Sequence, residues 1–594
     1  MRERAIVRRL ADLESTRDRF GPNEPQRVLR LLAALENSRL DDAASLIRFH
    51  EALLFLRAFP HSPAVLRKVE SLLNTFHKRV EALRQSVADM AAFDEFETSG
   101  IAGTTMEDTL GFDVARWLTH HIPGQVEIAW DNYEPGRELG TTGPRFIPLL
   151  EDDAYVEADT PWRQWLETAA GRKDSAPRWL IERIAALPLL PYQKCELYES
   201  LRIPLRWHLA NSRMSRARNF VPFSTLSSRP TRGERSDRAE WRAPAFPSLE
   251  KSGVFYHTSP LIPRSEVSLA TELAKRPPHL KRLPRRQGDR IINLIREVMI
   301  VRYRELYGTT LGDPASVVQA DVGRGVTIYL WNLLPDRRLP LRAYVAGLTL
   351  KNGVPINYIE SIALCEWMEV GFNTFYTFRG GEAGWVYAQV LRCLCHLKGT
   401  TVVSVYPYQL GHDNEEAIAS GAFWFYRKLG FRPGKPELQE LLKREEKKIG
   451  ANHHYRTPPR ILKRLAAGHV FYELSGSQPG AWDKFSTRNI GLRVNQRMAS
   501  QFRGDAQHMR RQTTQTLERI LGVRTKSWRP PDQLAFENFA LVLGEVRGLR
   551  AWTAKEKADL LSIIQAKSKQ DEMLYLHLTQ RHNRLRSALL KLGS

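Results

Sequence analysis

The residues best suited to chemistry gather in the stretch 375–391, FYTFRGGEAGWVYAQVL. Up to Arg379 it is aromatic and β-prone, and beyond Gly384 it reads as an apolar helix, with glycines, an alanine and Glu382 filling the corner. A strand that ends in such a turn and opens a helix presents main-chain N–H groups at the positive end of the helix dipole, and phosphate oxygens fit that need. Glycine lets an anion approach the main chain closely, although a tight turn asks for glycine in any case. Other reactive residue types are sparse. The four cysteines (Cys195, Cys365, Cys393 and Cys395) are too few and too unevenly placed for a disulfide framework or a four-thiolate zinc site, and are expected as free thiols in a reducing compartment. His120 and His121 are expected as ordinary polar residues.

The corner needs a strand to deliver it and a helix to receive it. RIINLIREVMIVRYREL, starting at Arg290, has the period of an amphipathic helix, and VTIYLWNLL (326–334) reads as a strand. LRAYVAGLTL and VPINYIESIAL are long β-prone runs joined by Lys351-Asn352-Gly353. Asn-Gly accepts the positive φ angles of a two-residue hairpin, so these runs are predicted to pair antiparallel. A third strand over about 369–378 leads into the corner. A helix over about 385–397, a strand TTVVSVYPY and a second helix ending SGAFWFYRKLGFRPG complete the series.

Two local patterns stand out in this series: Arg379-Gly380-Gly381-Glu382-Ala383-Gly384 at the corner, and Ala422, Tyr426, Lys428, Gly430 and Phe431 in the form A-x-x-x-Y-x-K-x-G-F. With the order of elements, they resemble the GNAT superfamily of acyl-CoA-dependent N-acyltransferases, whose pyrophosphate loop reads Q/R-x-x-G-x-G/A. The resemblance covers residues 291–474, about a third of the chain. Three departures accompany it. Glu382 stands where the family has a glycine, and a carboxylate beside a pyrophosphate has to turn to solvent to avoid repelling it. Ala419 replaces an asparagine common seven residues before the tyrosine, with Asn414 upstream as a substitute. After Pro433 a helical insertion precedes a closing strand over 469–474.

The resemblance implies that an acyl-CoA docks with its pyrophosphate on the main chain of Arg379, Gly380, Gly381, Glu382, Ala383 and Gly384. Its pantetheine arm would then run between the strands that end near Phe378 and Pro407. Direct attack of an amine on the thioester needs a base to keep the amine neutral, donors for the oxyanion and an acid for the departing thiolate. Tyr426 stands at the family's acid position; its alternative is a packing residue whose hydroxyl bonds to main chain. For the base, Glu366 and Glu369 enter the strand before the corner and Glu360 ends the preceding one, each with a solvated sheet face as its alternative. The polar segment YPYQLGHDNEEAIASG (406–421) reads either as a substrate-facing loop, with Asn414 beside the cofactor, or as a helix N-terminus capped by Asp413 or Asn414.

With 594 residues, three or four domains are expected at about 150 residues each. Periodicity divides the chain into a mostly helical region (1–211), an Arg/Pro/Ser-rich linker (212–290), the GNAT-like region (291–474) and a helical C-terminal region (475–594). The fold class is α+β multidomain, with a central mixed sheet flanked by helices. Lysine and arginine exceed acids by 88 − 66 = 22, which attracts polyanions and phosphorylated cofactors without choosing among them. The linker, with Trp241 for stacking, has a second reading as a nucleic-acid-binding arm. Apolar runs of about 18 residues are missing, so no membrane partner is expected, and the location is cytoplasmic. The expected activity is transfer from acetyl-CoA or another acyl-CoA to an unknown amine acceptor. The alternatives are a non-catalytic GNAT-fold scaffold for a polyanion or protein partner, and a transferase that uses aminoacyl-tRNA.

Overall fold

The computed structural model of the chain describes residues 2–86, 89–133, 161–209, 214–217 and 253–594. Residues 212–213 and 218–252 of the Arg/Pro/Ser-rich segment, Trp241 included, lie outside the described residues. The fold is α+β, with helices flanking sheets, and it divides into two compact units in place of the four regions expected.

The first unit comprises Met1–Pro260, Asn293–Thr310 and Asn352–Pro355. Its helices Ala43–Ala58 and Pro63–Asn74 bury one stripe each at helical spacing: Leu46, Phe49, Leu53 and Leu56 on the first, Val65, Val69 and Leu72 on the second. Pro63 opens the second helix behind Ser62, whose side chain accepts the Val65 N–H, so start and stripe were both encoded locally. A small antiparallel sheet of β1 (Thr105–Asp108), β2 (Val126–Ile128) and β3 (Leu205–His208) runs in the order β1-β3-β2. His120 and His121 are held by Glu182 and Glu297, as ordinary polar residues.

The second unit comprises Leu261–Ile292, Leu311–Lys351 and Ile356–Ser594. Its sheet has nine strands: β4 (Lys281–Arg282), β5 (Val318–Asp321), β6 (Val326–Asn332), β7 (Ala343–Lys351), β8 (Val354–Leu364), β9 (Trp367–Thr374), β10 (Val402–Val405), β11 (Arg432–Pro433) and β12 (Val470–Glu473). Their spatial order is β11-β12-β10-β9-β8-β7-β6-β5-β4. Every residue of β6 and β7 is buried, which is why both read as unbroken apolar runs rather than alternating ones. Asn352 (φ 48°) and Gly353 (φ 80°) join β7 to β8 in the left-handed turn that Asn-Gly was expected to make.

β9 starts earlier and stops sooner than the predicted 369–378, because Tyr376–Phe378 coils into a 3-10 turn closed by the Phe378 N–H on the Phe375 carbonyl. The corner helix, Ala383–Lys398, follows. The single helix expected after β10 is broken by Gly421 (φ 69°) into Glu415–Ser420 and the aromatic helix Ala422–Lys428. The helical insertion (Pro436–Ala451 and Pro459–Leu465) then leads to β12, which pairs with β10 and β11.

Residues 475–594, expected as a region of their own, belong to the same unit as this sheet. Buried bonds explain the merger. The Lys567 ammonium pairs with Glu572 and donates to the Arg342 carbonyl at 2.8 Å, next to the start of β7. Gln580 donates to the carbonyls of Cys365 (3.0 Å) and Lys398 (2.8 Å), and the Trp482 ring stacks on Trp367 at 5.3 Å. Thr553 and Glu556 form a capping box at the start of the helix Ala554–Ala566. None of the four cysteines is in a disulfide among the described residues, and burial pushes the thiols of Cys365, Cys393 and Cys395 up to about 12. Among the described residues, no helix is long and apolar enough to cross a membrane.

Removing one partner of a buried pair strands the other charge, at a cost of about 3–5 kcal/mol, whereas replacing both with apolar groups is often neutral. Lys567→Met is therefore expected to lower the unfolding free energy by about 3 kcal/mol in chemical denaturation, and the added change Glu572→Leu to restore most of the loss. A single-variant loss below about 1 kcal/mol contradicts this role for the pair.

Candidate active site

β9 and β10 are parallel neighbours, yet they pair only at Trp367↔Val402, Met368↔Val403 and Glu369↔Ser404. β10 ends at Val405 and the chain turns away into Pro407–Leu410, while β9 continues to Thr374. Residues 370–374 thus have no partner on β10, and the sheet splits there. Side chains alternate along β9, so Met368, Val370 and Phe372 point to one face while Glu369, Gly371 and Asn373 point to the other.

The first face carries the corner helix and the aromatic helix. Phe372 packs on Tyr387 of the corner helix at 4.9 Å between ring centroids, and Tyr387 meets Tyr426 edge-on at 5.6 Å. Tyr426 is buried, with Phe425 and Phe431 also against its ring. Its hydroxyl has no hydrogen-bond partner among the described residues, so the expected alternative, a bond to main chain, is not formed. Burial raises the pKa of this phenol, which keeps its proton in place and makes it a weaker acid.

At the corner itself the departures from the family pattern acquire a physical account. Glu382 does not turn to solvent. It is 2% exposed, accepts the Ile262 N–H at 3.2 Å, and is paired with Arg324 and with Lys351 at 3.4 Å. Two cations and an amide compensate a carboxylate that solvent would otherwise claim. The Glu382 side chain makes no capping bond to the corner helix, so the first-turn amides of Ala383 and Gly384 are not taken up by it. Gly380 is exposed, with open space where a Cβ would stand, whereas the Gly381 N–H is already given to the Phe378 carbonyl at 2.9 Å. Gly384 is buried, and a Cβ there would come within 3.1 Å of Arg264 Cγ. Arg379 pairs with Glu416 and lies 5.5 Å from the Tyr376 ring centroid.

Arg264 brings positive charge to this helix start. The neighbouring Lys428, from the tyrosine motif, has its pKa lowered by burial and by the nearby charges of Arg264 and Arg456. Arg264 and Arg456 both lie within electrostatic reach of Lys428, and Arg264 itself sets positive charge against the helix N-terminus, which favours a bound anion. Lys351 is 0% exposed, and burial brings its pKa down to about 8, against the opposing pull of Glu382.

The second face carries carboxylates. Glu360 stands opposite Gly371 and Glu369 opposite Ile362, so the two glutamates occupy diagonal positions on β8 and β9. Such positions lie about 7–8 Å apart. The Tyr344 hydroxyl donates to Glu360, whose pKa is raised by burial. Glu369 is hydrogen-bonded to His469 Nε2 at 2.8 Å, and the pKa of half-buried Arg342 is lowered by burial against the opposing pull of the Glu369 charge. The Gln409 amide approaches Gly371 from the segment after β10. Glu366 is not brought to this site. It sits at the start of β9, bonded to Trp482 Nε1 at 2.7 Å and paired with Arg586, and the eight residues of β9 put roughly 25 Å of strand between it and the corner.

Asn414 caps the helix Glu415–Ser420 through the Ala417 N–H at 3.1 Å and donates to the Tyr408 carbonyl at 3.1 Å, which is the capping alternative. The partners of Glu382 were not foreseeable locally, since Lys351, Arg324 and Ile262 lie 31, 58 and 120 residues away along the chain. His469, Arg264 and Arg456 likewise belong to no motif. Among the described residues, no group of three or more His, Cys, Asp or Glu is arranged to hold a metal ion. No family model, curated protein or solved structure matches this chain.

The low pKa of Lys351 has a consequence for stability. Below about 8 the buried ammonium is retained at a cost; as pH rises from about 8 towards its ordinary 10.5, the folded protein sheds a proton that the unfolded chain still holds, and this cost is relieved. Stability of the wild type relative to Lys351→Met is therefore expected to rise across that window in denaturation experiments. A difference that is flat or falls with pH contradicts the assignment.

Proposed function

We propose that this protein transfers an acyl group from an acyl-CoA to an amine. The observation that carries the reading is the split between β9 and β10, set directly before a glycine corner whose helix start lies against Arg264. A pyrophosphate on the corner would meet unused first-turn amides and an excess of positive charge, and a pantetheine arm would enter the split between the strands. The Glu382 carboxylate, which at first sight opposes an anion, is neutralised by Lys351 and Arg324 and leaves the corner net positive.

The split joins the two faces of the sheet. The thioester carbonyl would lie in it with the sulfur towards Tyr426, while the amine arrives from the face of Glu369 and Glu360. The nitrogen lone pair forms the C–N bond, the C–S bond breaks, one proton leaves the nitrogen for a base on the carboxylate face, and the thiolate takes a proton from Tyr426. Acyl-CoA and amine give amide and free CoA, with no redox change. The acyl chain length and the acceptor belong to experiment.

Calorimetric titration of the full chain with acetyl-CoA and longer acyl-CoAs tests the reading. Saturable binding is expected, weakened at least about tenfold by Gly381→Asp, which sets a carboxylate at the corner, and by Arg264→Ala. Tyr426→Phe is expected to keep the affinity and lower kcat by about a hundredfold. No binding, or binding indifferent to both corner variants, overturns the proposal.

A further inference from the structure

We propose that His469, oriented by Glu369, is the base that takes the proton from the acceptor, and that the acceptor arrives as an alkylammonium ion across the carboxylate-bearing face. This deepens the transferase reading and rests on it. His469 immediately precedes β12, one residue beyond the last β10–β12 pair, Val405↔Val470. It therefore stands across from Tyr406, the first residue after β10, at the level where the two parallel strands part. Its ring meets Tyr406 edge-on at 5.3 Å and Phe471 at 6.2 Å, and its carbonyl accepts the Gly434 N–H, so the imidazole is held at the mouth of the split.

The hydrogen bond to Glu369 selects the tautomer. A carboxylate accepts, so His469 Nε2 carries the proton and donates it to Glu369 Oε2, which leaves the lone pair of Nδ1 in the ring plane. Nδ1 has no hydrogen-bond partner among the described residues. The side chain is 29% exposed, enough for a substrate to reach it. Nδ1 takes one proton from the ammonium and passes it to solvent, the neutral amine attacks the thioester, and Nδ1 takes the second nitrogen proton as the C–S bond breaks and the thiolate is protonated from Tyr426; each time the imidazolium is stabilised by the carboxylate on its far side. Glu369 is thus a positioning residue rather than the base itself. Glu360, bonded to Tyr344, adds a second acidic group on the same face, and exposed Tyr406 (51%) and Tyr408 (50%) supply rings over which an ammonium can lie.

The test uses full-length protein, acetyl-CoA and two probe amines: Nα-acetyl-lysine amide, whose ammonium has a pKa near 10.4, and alanine amide, whose α-amine lies near 8. For the lysine probe at pH 7, His469→Gln is expected to lower kcat/KM at least about a hundredfold with acetyl-CoA affinity unchanged. The acid limb of the pH profile should disappear. The defect should shrink to within about threefold as pH nears the amine's own pKa, and at pH 7 it should be at least about tenfold smaller for alanine amide. Glu369→Gln should displace the acid limb to lower pH, and Glu369→Asp should recover part of its position. A His469→Gln defect equal for both probes and at every pH overturns the dyad alone, as does acetyl-CoA binding without transfer to either probe. Failure of the wild type to bind acetyl-CoA overturns the transferase reading and the dyad together.

Discussion

The candidate site depends on one register. β9 and β10 pair in parallel over three positions and then part, and the reason lies in the residues at the point of parting. Pro407 has no N–H to give to a neighbouring strand and opens a helical turn, so β10 cannot continue alongside β9. Gly371, just past the last pair, carries no side chain to fill the gap that results. A sheet that is buried and continuous from β5 to β9 is interrupted at the one place where a strand-to-helix corner, an aromatic helix and two glutamates converge. Had the pairing run to Thr374, the two faces would have no passage between them.

The charges around the corner are organised by one buried acid. Glu382 is built into the fold: its carboxylate collects Arg324, Lys351 and the Ile262 amide. The bond to Ile262 ties down the start of the segment that passes over Gly384, and Arg264 is carried there with it. One buried acid thus recruits two cations and helps to position a third. The same logic applies on the other face, where Glu369 is engaged by His469 and Glu360 by Tyr344.

Much of this was legible in the sequence wherever a signal is local. The Asn352-Gly353 turn, the Ser62-Pro63 helix start, the Thr553 capping box and the helix that opens after the glycine corner each depend on residues within a few positions of one another. What was not legible depends on partners far apart in the chain. Alternation alone could not say that Glu366 would be drawn to Trp482 and Arg586 at the far end of β9, nor that Glu382 would face inward to Lys351. Asn414 offered a cap and a ligand with equal plausibility from composition, and the geometry makes it a cap. The C-terminal helices looked separable because their polar faces resemble a solvated surface; the buried Lys567–Glu572 pair and the stacked tryptophans that join them to the sheet involve single residues without a pattern.

The central claim is that the split and the corner together receive one extended, phosphorylated thioester. Hydrogen–deuterium exchange with and without saturating acetyl-CoA tests it most directly, because it reports on main-chain amides at both places at once. The account predicts slowed exchange in two separate segments, 380–386 at the start of the corner helix and 370–374 along the unpaired half of β9, with the small sheet of β1 to β3 unchanged. Protection confined to the corner, or absent from both segments while acetyl-CoA is bound, would contradict it.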